Sequence, residues 1–335
     1  MPKAELHVHL DGSLRPETLI ELAQTQGLPL PSFDPVELER RMLAQDATNL
    51  EEYLTRFDIT LSVLQNAAAL ERVAYELALD QVSENVLYVE VRYSPILHTR
   101  KGLPLTETVE APLRGLARAE TETGIRTGLI ICGIRNMEPG TSRDLADLAV
   151  AYREKGVVAF DLAGAEYNYP AKKHRDAFFT VINKNMATTI HAGEAYGPES
   201  IHQALHYCRA NRIGHGTRLF EDPDLERYVR DFRIPLEICL TSNVQTGAVS
   251  RFEAHPLRHY FDSDLIVSLC TDNRLISGTT LTEEFRRAHV HLDFEWDELV
   301  KVARMGFEST FLSWPEKKAV LARFDTEVAV IQGGR

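Results

Sequence analysis

The run His-Val-His-Leu-Asp occurs twice, at residues 7–11 and again at 289–293. Paired imidazoles are metal ligands when both can reach one ion. In a strand, residues i and i+2 point to one face about 7 Å apart at Cα, and His7 and His9 close the strand-like run AELHVH. The second copy ends TLTEEFRRAHVHL, whose acidic start and basic later turns suit a helix. On a helix, i and i+2 stand about 200° apart, so His289 and His291 cannot converge. The first copy is the expected ligand pair and the second is helix surface. His191, Glu194, His215 and Asp272 sit at the ends of other β-rich runs. Three imidazoles and one carboxylate (His7, His9, His191, Asp272) with room for water describe a catalytic zinc, at ligand distances of about 2.0–2.2 Å. A fifth protein ligand would crowd out the water, so His215 is expected to hold and polarise the nucleophile. Asp272 can also take the water's proton, and Glu194 can act as an acid on the substrate if its surroundings raise its pKa.

The remaining histidines carry less. His202 and His206 have the i, i+4 spacing that chelates zinc on helices, but no Glu follows the first of them as in HExxH. They are expected behind the fifth strand, structural or facing solvent. His98, His174, His255 and His259 have no motif around them.

The elements that must bring the site together recur as a short β-rich run followed by a helical pattern. Candidate strands cover 4–9, 86–94, 126–134, 157–164, 187–193, 211–216, 234–240 and 265–272. Eight βα units without a strand-only stretch read as α/β, a parallel (β/α)8 TIM barrel. With no internal repeat or linker-like break, 1–335 reads as one domain. The first crossover, about 13–85, is long enough to insert a helical lid. Residues 49–66 read as one amphipathic helix with Leu50, Leu54, Phe57 and Leu61 on a face. That face either packs on the barrel or covers its mouth and lines a substrate pocket. Binuclear barrels bridge their metals with a modified lysine after strand four. Here that strand ends Asp161-Leu162-Ala163-Gly164, so one ion per chain is expected.

The formal charge of −12 argues against a nucleic-acid polymer as partner, which needs a clustered cationic surface. MPKAELHVHL has no basic and apolar leader pattern, and no apolar run reaches the roughly 18 residues that span a bilayer. Cys132, Cys208, Cys239 and Cys270 form no CxxC pair, three of them in apolar runs, which reads as buried reduced thiols in a cytoplasmic protein. Nothing in the chain sets an oligomeric state.

HVHLDGSLRPET (7–18), EVRYSP (90–95), DLAGAE (161–166), HAGEAYGPESI (191–201), IGHGTRL (213–219), ICLTSN (238–243) and SLCTDN (268–273) together resemble the adenosine deaminase family of amidohydrolase barrels, in order over about residues 4–315. The resemblance implies a mononuclear zinc enzyme of purine salvage, converting adenosine, and 2′-deoxyadenosine, to the inosine product and ammonia. By position, His7, His9, His191 and Asp272 would bind zinc, with His9 also at the substrate. Glu194 would protonate purine N1, His215 and Asp272 would hold the attacking hydroxide, and the Gly164 N–H would meet N3. Leu54 and Phe57 would cover the base, and Asp11 would take the ribose 5′-hydroxyl, although an Asp-Gly pair also suits a plain turn. Asn273 departs from the family, where a second aspartate donates to purine N7. An Asn amide donates without needing a proton, which fits adenine and leaves room for another 6-aminopurine nucleoside such as aminodeoxyfutalosine. Arg274 has no role legible in the sequence. The cytidine-type zinc deaminases are excluded because PCxxC is absent.

Overall fold

The computed structural model describes residues 1–334. Among them, eight parallel strands follow one another in a single sequential sheet. They are β1 (Lys3–His9), β2 (Val86–Tyr93), β3 (Arg126–Ile134), β4 (Val157–Ala163), β5 (Ala187–Ala192), β6 (Arg212–His215), β7 (Leu236–Ile238) and β8 (Val267–Leu269). The chain returns to its start through a parallel bridge between Val8 and Asp272. There the His9 N–H donates to the Asp272 carbonyl at 2.7 Å and the Asp272 N–H to the His7 carbonyl at 2.8 Å. The expected (β/α)8 barrel is present, its helices packed around the strands and its apolar residues joined in one continuous core.

β7 and β8 are shorter than the expected 234–240 and 265–272. After Ile238 the chain turns directly into the helix Leu240–Gln245. After Leu269 the ladder turns irregular: the Cys270 N–H still reaches the Ile238 carbonyl at 2.8 Å, but the Thr271 N–H donates to the Glu5 carboxylate at 3.1 Å instead of to a strand carbonyl. Apolar run length alone could not mark these exits, because the residues beyond them stay buried.

In β1 the alternation of the strand puts Glu5, His7 and His9 on one face and Leu6 and Val8 on the other. The inner faces of the strands hold charge as well as apolar bulk. Arg212 bonds Glu237 at 2.6 Å and also pairs with Glu90, while Arg92 reaches Glu237 at 2.8 Å and Asp161 at 3.0 Å. All five side chains are buried. Taking these ions out of water costs several kcal/mol apiece, so their value must lie in what they orient.

The crossover from β1 to β2 contains the helices Pro16–Gln26, Pro35–Met42, Leu50–Leu54, Phe57–Val63 and Ala67–Ser83. The last of these packs beside β2 and the helix Leu105–Thr123 like any outer barrel helix. Residues 49–66 are two short helices and not the one expected. Around Thr55 and Arg56 the backbone N–H groups bond three residues back, and the Thr55 hydroxyl returns to the Glu52 carbonyl at 2.7 Å. A three-residue turn shifts the phase of the apolar stripe, so Leu54, Phe57 and Leu61 share a cavity while Leu50 faces a different hollow.

The second HVHLD copy ends the helix Leu281–Leu292, as expected. His289 bonds the Phe294 carbonyl and His291 bonds Glu253, each at 2.7 Å. Among the described residues no helix is long and apolar enough to cross a membrane.

Candidate active site

At the C-terminal rim of the barrel, His7, His9, His191 and Asp272 offer ligand atoms that all lie within 4.8 Å of one another. His9 Nε2 is 3.1 Å from His191 Nε2, and Asp272 Oδ1 is 3.5 Å from His7 Nε2 and 3.3 Å from His9 Nε2. Their tautomers follow from what lies behind them. His7 Nδ1 is 2.9 Å from the Glu237 carboxylate and His191 Nδ1 is 3.0 Å from that of Asp161. A carboxylate only accepts, so both Nδ1 atoms carry the proton and both Nε2 lone pairs face the centre. His7 Nε2 is buried with no hydrogen-bond partner. Burial, opposed by Asp272, takes His9 down to about 3. Against the cost of burial, His7 at 3.5 Å and the other nearby imidazoles hold the Asp272 carboxyl well below the usual range. Three ring nitrogens and a carboxylate, one of the nitrogens otherwise orphaned, fit a divalent cation.

The two carboxylates behind the ligands are themselves joined by Arg92, which donates to Asp161 and Glu237 at once. Thr189 and Arg212 hold the other oxygen of Glu237 at 2.9 and 2.6 Å. The buried ion network of the barrel therefore ends on the rings of His7 and His191. Arg92, Asp161 and Glu237 were not singled out from the sequence. The signal was there in EVRYSP, VVAFDLAG and IPLEICL, where a charge interrupts a strand buried on both faces.

Glu194 and His215 stand beside the ligands, with His215 Nε2 3.5 Å from Glu194 Oε2. Burial, aided by the charges of Asp272 and Glu166, pushes the Glu194 carboxyl well above its ordinary value. Burial, with His7 alongside, pulls His215 well below its own. Glu194 is placed by a device the sequence did not announce. The N–H groups of Gly193, Glu194, Ala195 and Tyr196 all donate to the Glu166 carboxylate, at 2.7, 3.0, 2.6 and 2.9 Å. His215 and Asp272 both have left-handed backbones, φ 63° and 60°. Each such conformation costs about 1–3 kcal/mol and persists where its surroundings impose it.

A cavity of 320 Å³ opens beside the ligands, lined by His9, Asp11, Leu54, Phe57, Leu61 and Gly164 among others. At Gly164, φ is +93° and a Cβ would come within 3.0 Å of Asn136 Oδ1, so the backbone there stays open to a ligand. Asp11 is buried, with Oδ1 unpartnered and Oδ2 3.7 Å from His98 Nε2. Asn273 is buried next to Asp272 and against Gly12, behind the Asp11 wall of this cavity. Its amide donates to Tyr53 in the helix Leu50–Leu54 at 2.9 Å, and its buried Oδ1 rests against Gly12, where a Cβ would collide with it. Arg274 pairs with Glu84 at the end of the helix Ala67–Ser83, a tie between β8 and the first crossover. His202 and His206 are exposed on the helix Pro198–His206, and no third ligand joins them among the described residues. The four cysteines are free and buried.

A (β/α)8 barrel whose rim gathers three histidines and an aspartate beside a glutamate that burial pushes well above its ordinary pKa defines a metal-dependent hydrolase of the amidohydrolase type. The adenosine deaminase family model matches residues 2–327. The chain belongs to that family and is a hydrolytic deaminase. A probable adenosine deaminase of Dictyostelium discoideum is 43% identical over 318 residues, covering 95% of this chain and 41% of that longer protein. An adenosine deaminase of Clostridium kluyveri is 36% identical over 333 residues, covering 99% of this chain and 96% of that one. In structure, the adenine deaminase of Arthrobacter aurescens superposes with a TM-score of 0.91 at 27% identity, covering 98% and 99% of the two chains. Relatives named for adenosine at these identities do not favour the aminodeoxyfutalosine alternative.

Proposed function

We propose that the enzyme deaminates adenosine, and 2′-deoxyadenosine, to the inosine product and ammonia with one zinc ion per chain, as a step of purine salvage in the cytoplasm. The observation that carries this reading is the His3Asp cluster flanked by Glu194, whose carboxyl burial pushes well above its ordinary value, and opening through His9 onto a cavity whose wall also carries Asp11 with an unpartnered Oδ1. His7, His9, His191 and Asp272 would hold the ion. Three nitrogens and an oxygen with a position left open suit catalytic zinc, and the absence of a lysine at the end of β4 suits one ion. When bound, zinc supplies Lewis acidity that brings the pKa of a water ligand towards ~7.

The protein's own groups do the rest. Glu194, protonated, gives its proton to purine N1 and so drains electron density from C6. His215 hydrogen-bonds the attacking oxygen. Asp272 accepts the proton that the water gives up on attack and passes it to the amino group, which leaves as ammonia, while the new C6 hydroxyl returns a proton to Glu194 as the carbonyl forms. The Gly164 N–H meets N3, Leu54 and Phe57 cover the base, and His9 borders the sugar side. Asp11 accepts from the ribose 5′-hydroxyl, and its charge would repel a 5′-phosphate. Asn273 acts on the base edge indirectly, through Tyr53 and the helix that closes on the substrate. The four free, buried thiols suit the reducing cytoplasm. Adenosine, adenine and AMP offered side by side, with ammonia release as the readout, test the assignment. Adenosine should turn over fastest, and preference for the free base or for AMP would overturn it.

A further inference from the structure

Each hydrogen bond behind His215 can be given a direction. The Leu257 N–H donates to His255 Nδ1 at 3.1 Å. A backbone amide has no other role to play, so Nδ1 of His255 is an acceptor. A neutral His255 must then carry its proton on Nε2, and burial, which takes this ring down to about 3, keeps it neutral. His255 Nε2 lies 3.1 Å from Asn243 Oδ1, which accepts. That fixes the amide of Asn243, and its Nδ2 meets His215 Nδ1 at 3.0 Å. The opposite amide orientation would set two donors face to face. His215 Nδ1 is therefore an acceptor and its proton sits on Nε2, the atom turned towards Glu194 and the ligand cluster. All three side chains are buried, so water does not compete along the line.

We infer that His255 and Asn243 are positioning residues that lock His215 as its Nε2–H tautomer, which makes His215 a fixed hydrogen-bond donor to the oxygen that attacks the purine and leaves Asp272 to accept the proton. The inference rests on the proposed part of His215 in deamination. It assigns a task to Asn243, the last residue of ICLTSN, and to a histidine with no motif around it. The proton on Nε2 stays there when the ring is neutral, so the ring contributes a donor aimed where negative charge grows on oxygen.

Nitrogen-15 NMR of the histidine rings in the zinc-loaded enzyme tests this directly, with the His215 signals identified by their loss in His215→Ala. The expected spectrum shows His215 protonated on Nε2 and bare on Nδ1. Asn243→Leu, close in volume and apolar, should abolish the single fixed tautomer and lower kcat by about 10- to 100-fold, with inosine binding within threefold and zinc content unchanged. A proton on Nδ1 in the wild-type spectrum overturns the inference, and that measurement stands even if the leucine variant does not fold. An unchanged His215 spectrum with kcat within threefold in Asn243→Leu also overturns it. Wild-type turnover in His215→Ala would instead remove His215 from the reaction, a failure of the underlying reading that the spectrum keeps distinct.

Discussion

Glu194 is buried, faces two other acids and has one carboxyl oxygen without a partner. Each of these favours the proton-carrying form, which is the form an acid catalyst needs. Glu194→Gln should keep the metal and lower kcat by about 10²–10⁴, to be checked by metal analysis and turnover of the same preparation. Since the raised pKa belongs to a group that must be protonated, kcat/KM should hold through neutrality and fall on the alkaline side as Glu194 ionises. A pH profile that instead falls only on the acid side would assign another group. Asp11 sits against a different part of the substrate. Losing a charged hydrogen bond costs about 1.5–3 kcal/mol, so Asp11→Ala should slow adenosine about 10- to 150-fold while 5′-deoxyadenosine, which lacks the donor, is nearly unaffected. At this scale the sequence was highly legible for the ligands. His7 and His9 announced themselves by strand spacing, and the second HVHLD excluded itself by helical spacing. Asn243 and His255 stayed silent, because a buried line of hydrogen bonds leaves no spacing pattern in the chain.

Between residue and barrel lie the turns and short helices. The turn after β5 is wrapped around one carboxylate, with the N–H groups of residues 193–196 all pointing at Glu166. A glutamine there keeps one accepting oxygen and adds a donor facing donors. Glu166→Gln should therefore lower stability by about 1–3 kcal/mol and cut kcat more than it raises KM, measured by thermal unfolding alongside steady-state kinetics. The DLAGAE motif contained this residue, but its partners are backbone atoms almost thirty positions away, which no side-chain pattern reveals. The cover over the cavity was legible as an apolar stripe in 49–66. Its division was not, because Thr55 tightens the backbone through a bond to its own turn. That division carries Tyr53 to Asn273 and Ser277, at 2.9 and 2.7 Å, and so couples the helix to the end of β8.

For the molecule as a whole, eight repeats of strand and helix declared the barrel, and the charged interior was the part left unread. Glu90 and Arg92 on β2, Asp161 on β4, Arg212 on β6 and Glu237 on β7 come from four strands far apart in sequence and meet only because the strands close a circle. Removing the centre of such a network strands its partners. Arg92→Met should weaken zinc retention about 10- to 100-fold, the usual effect of losing support behind metal-bound histidines, as measured by competition with a chelator. It should also lower the unfolding temperature, because Asp161 and Glu237 would be left buried without their shared cation.

The bridge between Val8 and Asp272 places two main-chain bonds directly beside three of the four ligands. The seam of the cylinder and its cargo site thus occupy the same few residues. An ion gripping His7, His9 and Asp272 would also rivet the first strand to the last, so stripping it should let the wall unzip there before it loosens elsewhere. Deuterium should then enter the amides of His9 and Asp272 early in chelated protein, while the paired amides of β2 and β3 remain slow.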